Sequence, residues 1–134
     1  MASDGNAAGT LVLVVDDEPN IRETIAFVLE MEGFRVATAE DGEVGLAEIA
    51  RLRPTIVVLD AMMPRRDGFE VCRAVRSDPA LAGVRIVMVT ALGQQADRER
   101  AMAAGADHYL TKPFDEDELL ALLRTLAGGE TTGP

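Results

Sequence analysis

Short apolar runs recur along the chain at Leu11–Val15, Ile56–Leu59 and Ile86–Val89, with weaker ones at Phe34–Thr38 and His108–Thr111. Runs this short, bounded by polar or turn-forming residues, predict strands. A helical pattern follows each. Ile21, Ile25, Val28 and Leu29 share one face of a first helix, and Leu119, Leu122, Leu123 and Leu126 one face of a last. Shorter helical stretches fall near Glu43–Leu52, Phe69–Arg76 and Ala96–Ala104. Pro19 sits where a first helical turn tolerates it, and Gly33 and Gly105 stand where C-terminal caps are expected. Five strands alternating with five helices predict an α/β domain with an open parallel sheet and helices on both faces.

The same pattern orders the strands. The first, third and fourth runs are the most apolar, as strands covered on both faces must be. The second and fifth mix in polar residues and suit edges. With right-handed crossovers this predicts the order 2-1-3-4-5, whose switch point lies between strands 1 and 3. Residues 1–9 and 128–134 are small, polar and aperiodic. They are expected to be a disordered N-terminal tail and a flexible C-terminal tail around one domain over residues 10–127.

Composition narrows the class. At 134 residues the chain has the size of one domain with one well-buried core. No apolar run reaches the length of a membrane span, and the N-terminus lacks a signal-peptide pattern. Cys72 is the only cysteine, so no internal disulfide can form, which fits a reducing cytoplasm. A formal charge of -10 argues against general binding to nucleic acid. It also suits an acidic cation site, although solubility alone would account for it. The expectation is a cytoplasmic protein with no direct nucleic-acid contact and no membrane insertion.

Chemistry enters at the carboxyl ends of the strands, where ligands of such sheets bind. Strand 1 ends in Asp16-Asp17-Glu18, strand 3 in Asp60, strand 4 in Thr90 and strand 5 in Lys112-Pro113. Strands 1 and 3 are neighbours in the predicted order, so Asp16, Asp17 and Asp60 converge. Clustered carboxylates repel one another, and a hard divalent cation removes that penalty. Magnesium suits a few carboxylates, a carbonyl, retained waters and a phosphate oxygen. Lys112 adds a point charge and Thr90 a hydroxyl, both suited to holding a phosphoryl group. The Asp60 carboxylate is then a nucleophile able to form an acyl phosphate.

Simpler roles exist for each residue alone. Asp16 and Asp17 precede a helix start and could be N-caps, Thr90 a strand end satisfied by backbone, and Tyr109 a half-buried edge aromatic. The agreement of the residues at 16, 17, 60, 90 and 112 favours the phosphoryl site over these separate readings. His108 has no partner in the sequence for a metal site and is expected to be a surface or packing residue. Asp67-Gly68 reads as a turn and helix start. Cys72 shares an apolar face with Phe69 and Val75, which favours an inert core thiol.

Taken in order, Val15-Asp16-Asp17-Glu18, Leu59-Asp60, Met63-Pro64-Arg65-Arg66-Asp67-Gly68, Val89-Thr90-Ala91, Gly105-Ala106-Asp107 and Tyr109-Leu110-Thr111-Lys112-Pro113-Phe114 resemble the response-regulator receiver domains of two-component signalling. The resemblance covers about residues 10–127 and is to the single-domain, chemotaxis-type, flavodoxin-like form. It implies a regulatory phosphoacceptor rather than an enzyme with turnover. Asp60 is the implied acceptor. Asp17 and Asp60 are the implied direct ligands of Mg2+, Asp16 acts through water, and Met62 supplies its backbone carbonyl. Thr90 and the backbone amide of Ala91 receive phosphoryl oxygens, and Lys112 pairs with another. Tyr109 is the implied aromatic switch, turning inward as Thr90 moves toward the phosphate, and Lys112-Pro113 resembles a peptide bond that is usually cis. Met62 and Leu92 flank the approach of hydrolytic water.

The implied donor is a histidine kinase or phosphotransfer protein. The implied output is an unknown protein reading the face of helix 4, strand 5 and helix 5, with a phosphorylation-dependent homodimer as one form of it. An aspartate-nucleophile phosphatase on a related α/β fold is the competing reading. It wants an Asp-x-Asp pair after strand 1 and a cap segment, whereas here strand 1 gives the adjacent Asp16 and Asp17, strand 3 gives Asp60-Ala61-Met62 with no acid two residues on, and no cap is inserted. A flavin carrier of the same topology would want a Ser/Thr/Gly-rich phosphate loop where Asp16-Asp17-Glu18 stands.

Overall fold

The computed structural model describes residues 9–128, so all but Gly9 and Gly128 of the expected tails lie outside the described residues. The elements alternate as β1 (Leu11–Val15), α1 (Pro19–Met31), β2 (Arg35–Ala39), α2 (Gly42–Leu52), β3 (Ile56–Leu59), α3 (Gly68–Arg76), β4 (Arg85–Thr90), α4 (Gln95–Ala104), β5 (His108–Thr111) and α5 (Glu116–Ala127). All strand pairs are parallel, in the order β2-β1-β3-β4-β5. The predicted order is the observed one, and element ends differ by a residue at most. One turn of 3-10 helix at Pro79–Leu81 went unpredicted; Asp78 caps it by accepting from the Ala80 amide at 3.0 Å.

Alternation along the strands builds two cores. Leu13, Val15, Val57, Leu59, Ile86 and Met88 face α2, α3 and α4 with Ile49, Phe69, Val71, Cys72 and Val75. Val12, Val14, Ile56, Val58, Val87 and Val89 face α1 and α5 with Ile25, Leu29, Leu119, Leu120 and Leu123. Adjacent strand residues point to opposite faces, so a continuous apolar run is what a sheet covered twice requires.

The α4 helix differs from the others. Only Ala101 and Ala104 are buried along it, so it brings little apolar area to the core. Its C-terminal end is fastened from outside. Arg76 of α3 donates to the carbonyls of Gly105 (2.9 Å) and Val84 (2.8 Å) and to Asp107 Oδ2 (2.8 Å). Asp107 Oδ2 also accepts from the Ile86 amide at 2.8 Å. Gly105 closes α4 at φ 110, and a Cβ there would stand 2.3 Å from Arg76 Cγ, so both conformation and space call for glycine.

Cys72 is fully buried, and burial pushes its thiol up to about 11, from about 9 for a free thiol. Neighbouring Arg76 and Arg73 oppose this and Asp107 adds to it. The unfolded thiol therefore ionises first, and unfolding releases a proton between pH 9 and 11. The neutral thiol's contribution is intact below that window and is lost across it, by about 2–3 kcal/mol. Urea unfolding of the native chain and of Cys72→Ala should show their stability difference shifting against the native chain by that amount as pH rises through the window. A constant difference would contradict the assignment.

Candidate functional site

The β1–β3 pairing ends at Val15 opposite Leu59, and the next residue on each strand is an aspartate. Backbone bonds carry the pairing one step further: the Asp60 amide donates to the Val15 carbonyl at 3.0 Å, and the Asp16 amide to the Ala39 carbonyl at 3.2 Å. Both carboxylates are thereby delivered to one edge of the sheet. Asp17 follows on the surface, and one oxygen from each of Asp16, Asp17 and Asp60 lies within 4.8 Å of the others. Lys112 reaches in from the end of β5 and bridges two of them, with Nζ 3.0 Å from Asp16 Oδ2 and 3.1 Å from Asp60 Oδ2. Its own amide donates to the Thr90 carbonyl at 2.8 Å, and the Lys112–Pro113 peptide is cis.

The remaining oxygens are also held. Asp16 Oδ1 accepts from the Glu18 amide at 2.9 Å, and Asp60 Oδ1 from the Met62 amide at 3.1 Å. Neither Asp16 nor Asp17 caps α1; the N-cap position belongs to Glu18, which makes no side-chain cap. Burial raises the Asp16 pKa, against the Glu18 amide and Lys112, which lower it. Burial alone would lower the Lys112 pKa, but its bonds to Asp16 and the charge of Asp60 raise it.

Three carboxylates less one ammonium leave two negative charges in a space a few ångströms wide. The donors on offer are all oxygen, with no sulfur or imidazole in the cluster. A hard divalent cation fits both the charge and the donor chemistry.

Thr90 ends β4 fully buried, and its Oγ1 accepts from the Leu92 amide at 3.4 Å, a long bond. The Leu92 carbonyl in turn accepts from the Tyr109 hydroxyl at 2.6 Å. One residue thus carries a bond to each expected switch group. The Tyr109 ring lies inward, buried in the α2–α4 core. Arg98 of α4 lies 4.9 Å from the ring centroid and donates to the Tyr109 carbonyl at 3.4 Å. Burial raises the Tyr109 pKa and the Asp97 charge adds to that, against Arg98. Ala91 is exposed directly after Thr90, and Met62 is exposed beside Asp60. Leu92 is half-buried and packs against the α2–α4 core.

Sequence reasoning missed what holds the acceptor loop. The Gly68 amide donates to the Ala61 carbonyl at 2.8 Å, and a Cβ at Gly68 would lie 2.4 Å from the Asp60 carbonyl oxygen. Only glycine lets α3 begin so close to the acceptor. Arg65, at φ 72, pairs with the buried Asp41 at 3.1 Å and ties this loop to the start of α2. The Asp-Gly pair at a helix start was the available signal for the first, and nothing local signals the second.

Residues 12–124 match the family model of the response regulator receiver domain. The chain is 44% identical over 115 residues to the DNA-binding dual master transcriptional regulator RpaA of Synechocystis, a match covering 86% of this chain and 48% of that one. It therefore spans about half the length of the curated relatives it matches first. Among solved structures, a Francisella response regulator receiver domain superposes with a TM-score of 0.85 at 30% identity, covering 90% of this chain and 98% of the other. The receiver domain of a Pseudomonas aeruginosa sensor histidine kinase, with a magnesium ion coordinated in its active site cleft, superposes with a TM-score of 0.83 at 33% identity, covering 90% and 99%. Such domains are regulatory switches rather than classical enzymes. This chain, from its strand order to its acidic edge, belongs to the response regulator receiver domains of two-component systems.

Proposed function

We propose that the chain accepts a phosphoryl group on Asp60 from a histidine kinase or phosphotransfer protein, with magnesium held at the same edge, in the cytoplasm. The observation that carries this reading is the convergence of Asp16, Asp17 and Asp60 within 4.8 Å beside the bridging Lys112. Asp17 and Asp60 would hold the cation directly, with the Met62 carbonyl, and Asp16 through water. The magnesium-bearing relative adds support by likeness. A bound magnesium ion would neutralise the excess carboxylate charge and draw charge from the phosphoryl oxygens.

In the transfer an Asp60 oxygen attacks phosphorus, the donor's phosphorus–nitrogen bond breaks, and the released imidazole takes up a proton. The Lys112 ammonium moves its hydrogen bonding from Asp60 to a phosphoryl oxygen. Thr90 and the Ala91 amide receive the others. If the Thr90 hydroxyl turns to the phosphoryl group, it releases the long bond from the Leu92 amide while Tyr109 keeps the Leu92 carbonyl. Phosphorylation then acts on the loop after β4 and on α4, with the ring already in place. The face of α4, β5 and α5 is the proposed output surface, for a protein partner or a second copy. A phosphatase would need a second acid where Met62 stands, to protonate a leaving group.

Acetyl phosphate with magnesium should add one phosphoryl group, read by intact mass. Asp60→Asn or added EDTA should abolish the gain. Full labelling of Asp60→Asn would remove Asp60 as the acceptor.

Lifetime gives a second expectation. Neither Met62 nor Leu92 can orient water by hydrogen bonding, so self-dephosphorylation should be slow. Met62→Asn with Leu92→Glu should speed phosphate loss by about tenfold or more, which needs about 1.4 kcal/mol off the barrier. An unchanged loss rate in a variant that still binds magnesium would show that these side chains do not set it.

A further inference from the structure

A second arginine of α4 lies on a second aromatic ring. The Arg100 guanidinium carbon is 4.0 Å from the centroid of Phe69, closer than Arg98 is to Tyr109. Phe69 is 1% exposed although Arg100 is itself an exposed residue, so the guanidinium forms part of the cover over the ring. A cation over a ring face is held by the ring's quadrupole, more strongly where water is excluded.

Phe69 is no ordinary core residue in this fold. It follows Gly68, whose amide is bonded to the Ala61 carbonyl and where a Cβ would fall 2.4 Å from the Asp60 carbonyl oxygen. Any shift of the backbone at Asp60 is thereby passed to the first turn of α3 and to this ring. On the other side, α4 buries only two alanines along its length, and it packs mainly on α3. Arg98 fastens it to β5 and Arg100 to α3, on opposite flanks of one helix.

We propose that Arg100 is a positioning residue that couples the phosphoacceptor loop to α4 through the ring of Phe69, beside the route through Thr90, Leu92 and Tyr109. The proposal rests on Asp60 being the acceptor. It assigns α4 two inputs, one from the end of β4 and one from the loop after β3. A cation on a flexible stem can slide across a ring face without a packing rearrangement, so this contact can follow small movements of the loop while holding the helix.

Hydrogen exchange over residues 95–104, with intact mass for the phosphoryl group, tests it on the full chain. In the unmodified protein Arg100→Met, which keeps the length and apolar stem but not the charge, should raise α4 exchange by about fivefold. Arg100→Lys, which restores a cation, should return it toward the native rate. Phe69→Leu should raise it similarly, and combining it with Arg100→Met should add little more, because both remove one contact. With acetyl phosphate and magnesium, Arg100→Met should take up one phosphoryl group as the native chain does, yet show a clearly smaller change in α4 exchange. Fully additive effects, or no rescue by Arg100→Lys, would overturn the coupling. So would a native-sized α4 response in labelled Arg100→Met. A native chain that takes up no phosphoryl group would instead defeat the acceptor reading, leaving the unmodified-state comparison to judge the Arg100–Phe69 contact.

Discussion

Two negative charges remain at the carboxyl edge of the sheet after Lys112 has paired with Asp16 and Asp60. Like charges held this close in a partly dry space repel strongly, so the arrangement persists only because the fold enforces it. The enforcement is the adjacency of β1 and β3 at the point where strand order reverses, which puts two consecutive strand ends, each with its aspartate, side by side. Parallel strands need long crossovers, and the helices that make them cover both faces and keep the surroundings apolar. The repulsion is thus balanced by two cores that share no side chain.

Most of that frame was legible in the sequence, for a physical reason. Burial on both faces leaves apolar runs, and helices packed on a sheet leave a stripe at helical spacing; both signals are local. Ile25 and Leu29 on α1 and Leu119 and Leu123 on α5 lie buried as their spacing predicts, while Ile21, Val28, Leu122 and Leu126 are half-buried and Leu120 is buried, so the buried stripe of α5 is turned toward Leu120 from the predicted face. The acidic residues and Lys112 were placed by strand ends alone. Sequence reasoning failed where contacts are distant along the chain and chemically unpatterned. Nothing near Arg98 or Arg100 announces that each will cover an aromatic ring, and nothing near Gly68 announces how closely α3 approaches Asp60. Tyr109 reads as a half-exposed edge residue and is buried because α4 closes over it.

The two faces of the sheet also divide the labour. On the α1–α5 side large aliphatic residues interlock, and such packing resists displacement. On the other side α3 contributes Phe69, Val71, Cys72 and Val75, while α4 contributes alanines and arginine contacts. A core tolerates movement where its contacts can re-form at little cost. Polar bonds to backbone carbonyls and cations over rings are of that kind.

The four hydrogen bonds around Arg76 and Asp107 give α4 a fixed foot. Its other end is capped only by bonds within its own first turn, between Gln94 and Asp97. A ten-residue helix is about 15 Å long, so a tilt of about 5° about the Gly105 end carries Gln95 by roughly 1 Å. At a hydrogen bond such a displacement separates made from broken, whereas at the foot it is scarcely felt. The geometry is that of a lever with its fulcrum at the floor of the sheet and its free arm beside Thr90.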